Sequence, residues 1–412
     1  MQLLESELEN LEGNEISGEI VFKLYDTYGF PADMTADFAR ERNLTIDEDT
    51  YEVLMQKQKE RARSSSNFNS IIPESLDIKG ETDFLGYESY SSTSNVIEII
   101  SNSSSQEEIN EGEEALILLD QTPFYAESGG QVGDTGLIKS NNSIFEVYDT
   151  QKKGDHFLHL GHVKSGSLKK SDSVVAEINS EQRNRIKGNH SATHLLHAAL
   201  REVLGDHVEQ KGSLVEESRL RFDFAHNSSI DTEDILAIED LINAEIKKNS
   251  ESITEILPIS EAIEKGAIAF FGDKYGEEVR VLNIGNGFSI ELCGGTHVEK
   301  TGEIGMLKIT SESGVSAGVR RIEAVTGVGA NLLLDELSQN YSAITNELFI
   351  EDIDSRDGVD ALDYLRFLEE ENISFAKALN CSNDQVLKKI IQIKEENNDL
   401  LKELNREPLE YK

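Results

Sequence analysis

The sequence predicts a multidomain α+β protein: an N-terminal helical segment, a β-barrel-like subdomain, an α+β core and C-terminal helices. Three observations carry this expectation. Short β-branched runs such as "NVIEII" and "ALILLD" alternate with Gly, Ser and Asn turns, as in a small barrel or antiparallel sheet. "NHSATHLLHAALREVLG" has the Ala and Leu filling of a long helix. After it come strand-like runs, "RVLNI", "FSIEL", "MLKITSE" and "RRIEAVT". The four parts are placed at 1–70, 71–180, 181–330 and 331–412.

In the first part, helices from Leu3 to Arg63 are interrupted at "YGFP", where Gly29 and Pro31 stop one helix and Asp33 or Thr35 can cap the next. "RARSSSNFNS" reads as a linker. In the second part, "FYAESGGQVGDTGLI" holds Gly129, Gly130, Gly133 and Gly136. These fit tight barrel turns, or backbone that a substrate or nucleic acid approaches closely. In the third, Asn189 or Ser191 can cap the long helix and Gly205 ends it. After Gly329 the chain returns to helix, with Val386, Ile390, Ile393, Asn397, Leu400 and Leu404 spaced alternately 4 and 3 apart. That seam suits a helix packed on its own domain, or one that pairs with a partner or a second copy.

No apolar run reaches the roughly 18 residues that span a bilayer, so the expectation is a soluble cytoplasmic protein without a membrane partner. Two distant cysteines, Cys293 and Cys381, make no disulfide framework. The formal charge of -39 argues against broad nonspecific nucleic-acid binding. Local basic clusters remain, among them Arg61 with Arg63, Lys152 with Lys153, Arg183, Arg185 and Lys187, and Arg320 with Arg321. Each suits an ordinary solvated face, or part of a basic groove.

The chemistry concentrates in two pairs. On a helix, His190 and His194 lie one turn apart on one face, so both imidazoles can reach a single ion. In "ELCGGTH", Cys293 and His297 supply a second pair, with Gly294 and Gly295 allowing a tight turn between them. One thiolate and three imidazoles favour one zinc ion. His197, on nearly the same helix face, is a reserve ligand. A metalloprotease would need a glutamate where Ser191 stands. A cysteine nucleophile served by His297 would leave His190 and His194 unexplained.

"HSATHLLHAAL", "HVEQKGSLV", "LRFDFAH" and "ELCGGTHVEKTGEIG" together resemble the editing domain of alanyl-tRNA synthetase. "LYDTYGFPADMT" and "MQKQKERAR" resemble the end of that family's tRNA-recognition domain, and the closing helices resemble the start of its C-terminal dimerisation region. Stand-alone alanyl-tRNA editing proteins and the threonyl-tRNA synthetase editing domain share the two metal-type motifs, without the "LYDTYGFP" helices. The resemblance implies a zinc-binding editing core that hydrolyses tRNA(Ala) mischarged with serine or glycine. Its ligands carry over as His190, His194, Cys293 and His297, and Thr193 and Gln210 match positions around the editing pocket, although a helix hydroxyl bonded back to a carbonyl and a surface amide would also account for these two.

Asp26 matches a family aspartate that faces a wobble pair in the acceptor stem, a role a carboxylate can fill, although a helix cap would also account for it. Arg183, Arg185 and Arg320 are expected along a tRNA groove. Nothing resembling the ATP-binding aminoacylation domain precedes Met1, so the expectation is a fragment or truncated product that does not activate alanine, with ATP confined to the domain it lacks. Two other readings stand beside editing: a truncated alanine–tRNA ligase, and a non-catalytic tRNA-binding and dimerisation module whose zinc is structural.

Overall fold

The computed structural model describes residues 15–18, 39, 42, 44–47, 50, 81–268, 276–348 and 359–404. In the N-terminal unit, Glu15–Ile16 pairs in parallel with Thr45–Ile46. The break at "YGFP", Asp26 and the linker "RARSSSNFNS" lie outside the described residues. The second unit is a mixed α+β assembly containing a closed six-stranded barrel and several helices.

The barrel is built from β1 (Ser91–Ser101), β2 (Glu114–Leu119), β3 (Gly136–Lys139), β4 (Ser143–Lys153), β5 (His156–Lys169) and β6 (Ser173–Ile178). Around its wall the order is β4, β3, β6, β1, β2, β5, and β5 pairs with β4 to close it. Residues alternate between wall and interior along β6, as a period of two requires. Val96, Ile117, Phe124, Phe145, Val147, Val163 and Val174 fill the interior, so it is a packed core.

A histidine is sealed inside. His159 is 0% exposed; its Nδ1–H donates to the Ile117 carbonyl at 2.8 Å, so Nε2 accepts from the Thr122 hydroxyl at 2.7 Å. Both nitrogens are satisfied in the neutral ring, the form that burial favours.

The next element is α1 (Ser180–Leu204). It begins about nine residues before the cap that the sequence suggested, because Asn179 accepts from the Gln182 amide at 3.2 Å and starts the helix there. Asn189 has other work: it donates to the Glu216 carbonyl at 2.7 Å and accepts from Thr326 at 2.7 Å. Gly205 ends the helix as expected. The inner face of α1, with Leu195, Leu196, Ala199 and Leu200, packs on Phe222 and Phe224.

Those phenylalanines belong to an antiparallel sheet of β7 (Gln210–Val215), β8 (Leu220–Ala225), β12 (Leu307–Ser316) and β13 (Val319–Thr326), in the order β7, β8, β13, β12. Between β8 and β12 the chain forms α2 (Thr232–Lys248), β9 (Ile253–Pro258), α3 (Ile259–Glu264), β10 (Glu278–Ile284) and β11 (Ser289–Leu292). The strands β9, β10 and β11 make a second antiparallel sheet, and β11 runs directly into Cys293.

Three helices follow: α4 (Gly327–Leu348), α5 (Ala361–Leu379) and α6 (Val386–Leu404). Buried Glu239 of α2 ties α5 down, accepting from Arg366 at 2.8 Å and from Lys308 at 3.0 Å. Val386 and Ile390 are buried against Ile344 and Ala376, so the first half of the α6 seam packs within its own domain. Leu400 is 56% exposed. No described helix is long and apolar enough to cross a membrane.

Burial pushes His159 from the ordinary 6.5 down to about 4. Between those values the unfolded chain binds the extra proton, so stability is complete above pH 6.5 and falls as pH drops toward 4. The loss attributable to this group is about 3 kcal/mol. Urea unfolding of wild type and His159→Gln across that window measures it: the wild-type curve is expected to fall more steeply, and parallel curves would contradict the assignment.

Candidate metal centre

Helix α1 and the loop after β11 bring four donors together. His190 and His194 stack one turn apart, with ring centres 5.3 Å apart. The Cys293 thiol lies 3.5 Å from His190 Nε2 and 3.2 Å from His297 Nε2. One donor atom from each of the four residues lies within 4.8 Å of every other. A tetrahedral zinc site with bonds of about 2.3 Å to sulfur and about 2.0 Å to nitrogen has S···N edges of about 3.5 Å. The cluster could therefore hold a metal ion, and its donor set is consistent with zinc.

What aims the rings is a set of acceptors behind them. His190 Nδ1 bonds the Gln131 amide oxygen at 2.7 Å, His194 Nδ1 bonds Glu291 at 2.8 Å, and His297 Nδ1 bonds the Ser191 hydroxyl at 3.2 Å. The Gln131 and Glu291 oxygens can only accept from Nδ1–H and the Ser191 hydroxyl can do so too, which leaves Nε2 as the ligand atom. His194 Nε2 is buried with no hydrogen-bond partner, as a vacant ligand position would be.

The charges agree with this reading. Burial works against both anions, yet His190, His297 and His194 hold the Cys293 thiol well below the ordinary thiol range. Glu291, also opposed by burial, is held well below the usual carboxylate range by His194 and His197. Burial likewise disfavours a charged His194, but Glu291 and Cys293 raise it to about 10. Burial pushes His297 down to about 3, a neutral ring fit to donate electrons. A proton on His194 would offset only one of these two anions. A cation at the four donors would replace it, since Nε2 cannot hold both.

Several sequence expectations change. His197 is not in the donor cluster: its ring packs on Phe222 and its Nδ1 bonds Glu291 at 3.0 Å, so it braces the carboxylate behind His194. Gly294 and Gly295 differ. A Cβ on Gly295 would overlap the His190 ring, whereas at Gly294 it would meet nothing within 4 Å. Close approach, rather than an unusual backbone angle, requires the second glycine. The Gly295 N–H points at the Cys293 sulfur, 3.4 Å away. Sequence reasoning missed Glu291, Gln131 and the orienting use of Ser191. Glu291 carried a signal, because Ser289, Glu291 and Cys293 share one strand parity.

A cavity of about 630 Å³ opens over the cluster, lined by His190, His194, Cys293, Thr193, Gln210 and Arg280 among others. The Thr193 hydroxyl donates to the Asn189 carbonyl at 2.8 Å, leaving its oxygen as an acceptor. Arg280 donates to the carbonyls of Cys293 and Gly295, each at 2.9 Å, and lies over the Tyr87 ring.

The basic residues expected along a groove do not share one setting. Arg183 is 1% exposed and pinned to Asp134, to the Gly86 carbonyl at 2.7 Å and to the Pro123 carbonyl at 2.9 Å. It joins α1 to the barrel and has no free face for a phosphate, which corrects its placement in the groove. Arg185 is exposed on α1, and Arg320 pairs with Glu312 at 2.5 Å.

Gly295→Ala is expected to weaken zinc affinity at least about tenfold through the His190 ring, while Gly294→Ala stays within about twofold of wild type. Chelator competition on both variants tests this, and equal affinities would contradict the packing argument.

Two family models match the chain: tRNA synthetases class II (A), over residues 1–182, and Threonyl and Alanyl tRNA synthetase second additional domain, over residues 279–323. The second match contains Cys293 and His297; His190 and His194 lie between the two. An alanine–tRNA ligase of Pseudomonas fluorescens is 52% identical over 330 residues, covering 80% of this chain and 38% of the relative. That of Saccharophagus degradans is 50% identical over 343 residues, 83% of this chain and 39% of the relative. That of Pseudomonas entomophila is 45% identical over 406 residues, 98% of this chain and 43% of the relative. The chain spans about two fifths of the length of these curated relatives, and it belongs to the alanyl-tRNA synthetase family.

Proposed function

We propose that this chain is an editing unit that hydrolyses Ser-tRNA(Ala) and Gly-tRNA(Ala), with one zinc ion held by His190, His194, Cys293 and His297. The convergence of one thiolate and three Nε2 atoms beneath an open cavity carries this reading. A need for such an activity follows from chemistry. A pocket for alanine excludes neither smaller glycine nor, strongly, serine, so a second site must remove the errors.

Zinc would supply Lewis acidity, or a hold on the substrate's amine. Thr193 and Gln210 would position the attacking water and recognise the amino acid. The hydroxyl of water adds to the acyl carbon, the ester C–O bond breaks, and the ribose oxygen leaves with the proton. Polar groups in the pocket favour serine over alanine because a hydroxyl-bearing substrate can pair with them. The Gly295 amide, directed at sulfur, is a poor candidate for stabilising the oxyanion.

The acceptor end of tRNA(Ala) would enter through the cavity mouth, with Asp26, Arg185 and Arg320 as further contacts. A homodimer would form through the distal half of α6, where Leu400 and Leu401 are each 56% exposed. Attachment of alanine with ATP is not proposed for these residues, nor is Cys293 proposed as a nucleophile.

A second reading has its own support. Four protein ligands close a tetrahedron, the arrangement of structural zinc, and would make this a tRNA-binding module without catalysis.

Serine release from mischarged tRNA(Ala) separates the two. Editing predicts release by wild type, with His190→Ala and Cys293→Ala losing at least about 100-fold in rate together with their zinc. A rate and zinc content unchanged in both variants would refute the assignment. Zinc and tRNA binding without release would favour the structural reading.

A further inference from the structure

Gln131 lies in the barrel turn between Ser128 and Gln131, and is 0% exposed. Its side chain leaves the barrel and reaches both halves of the metal cluster. The amide oxygen accepts from His190 Nδ1 at 2.7 Å and from the Thr296 N–H at 3.0 Å. The amide nitrogen donates to the Thr296 hydroxyl at 2.9 Å. Rotating the amide by half a turn would set its NH2 against the Thr296 N–H, so the orientation is fixed.

The turn that delivers it is held closely. Gly130 has φ +88°, and a Cβ there would come within 2.5 Å of the Ser213 carbonyl oxygen. Backbone bonds from the Val215 N–H to the Gly130 carbonyl, 2.7 Å, and from the Val132 N–H to the Val215 carbonyl, 3.2 Å, fasten the turn to the end of β7. The glycine-rich segment thus serves close backbone approach, but to the chain's own strand.

We propose that Gln131 is a positioning residue of the metal centre, through which the barrel fixes the ligating tautomer of His190 and the course of the loop carrying Cys293 and His297. An amide oxygen cannot donate. His190 Nδ1 must therefore carry a proton, which leaves Nε2, facing the sulfur at 3.5 Å, as the atom available to a metal. The Thr296 amide, between Gly295 and His297, is held by the same oxygen. The barrel is accordingly a working part of the centre. This inference rests on the zinc reading above, but not on hydrolysis.

Zinc affinity of the full chain, measured by chelator competition without tRNA, tests it on wild type, Gln131→Met and Gln131→Glu. Methionine keeps the shape and loses both acceptor bonds, so affinity is expected to fall about 10- to 100-fold. Glutamate keeps an acceptor for His190 and for the Thr296 amide, and is expected within about threefold of wild type or tighter. Gln131→Met within about twofold of wild type would overturn the inference, as would Gln131→Glu no better than methionine, which would leave only a packing role. The glutamate arm decides even where the methionine variant does not fold. Absence of zinc on wild type would instead sink the zinc reading, and this inference with it.

Discussion

The centre depends on one constraint: three imidazoles must present Nε2 to the same point, and a histidine does so only when something accepts its Nδ1 proton. Gln131, Glu291 and Ser191 meet that requirement from three parts of the chain. Glu291 does more, because its negative charge sits beside that of Cys293 in a buried place and His197 and Ser289 help to hold it. Burying two anions is costly without a compensating cation. The fold therefore asks for a positive charge at the four donors, and a divalent ion would supply it at the point where the Nε2 atoms and the sulfur meet.

The surrounding architecture serves that geometry. Helix α1 sets His190 and His194 one turn apart and anchors itself to the barrel through buried Arg183 and Asp134. The sheet ending in β11 delivers Cys293, and Arg280 and Tyr87 hold the carbonyls of the following loop, Tyr87 donating to the Gly294 carbonyl at 2.6 Å. Gly295 then lets the loop pass against the His190 ring. Elements about a hundred residues apart thus supply the four donors, and these contacts give the cluster the kind of support that preorganised sites require.

The sequence made the four donors legible because their spacing carries the chemistry: four residues is one helical turn, and Cys-Gly-Gly-Thr-His is a loop with ligands at both ends. Short β-branched runs separated by Gly, Ser and Asn turns likewise announced the barrel region. The second layer was harder to see. Gln131 is 59 residues from His190, so only the tertiary fold reveals the pair. Arg183 looked like part of a basic surface because charge patterning does not tell a solvated arginine from one buried on Asp134. His197 shares nearly the same helix face, but at three rather than four residues beyond His194 its ring packs on Phe222, outside the donor cluster. The start of α1 was misplaced because Asn179 and Asn189 are both plausible caps in one dimension, and burial of Arg183 and Ile186 on the earlier turns decides between them.

The most direct test is the absorption spectrum of the chain loaded with one equivalent of cobalt(II) in place of zinc. The geometry predicts intense visible bands of a tetrahedral ion and a near-ultraviolet charge-transfer band from one thiolate, the latter lost in Cys293→Ser. Weak bands of an octahedral ion, or a thiolate band that survives that substitution, would contradict the convergence of these four side chains on one metal.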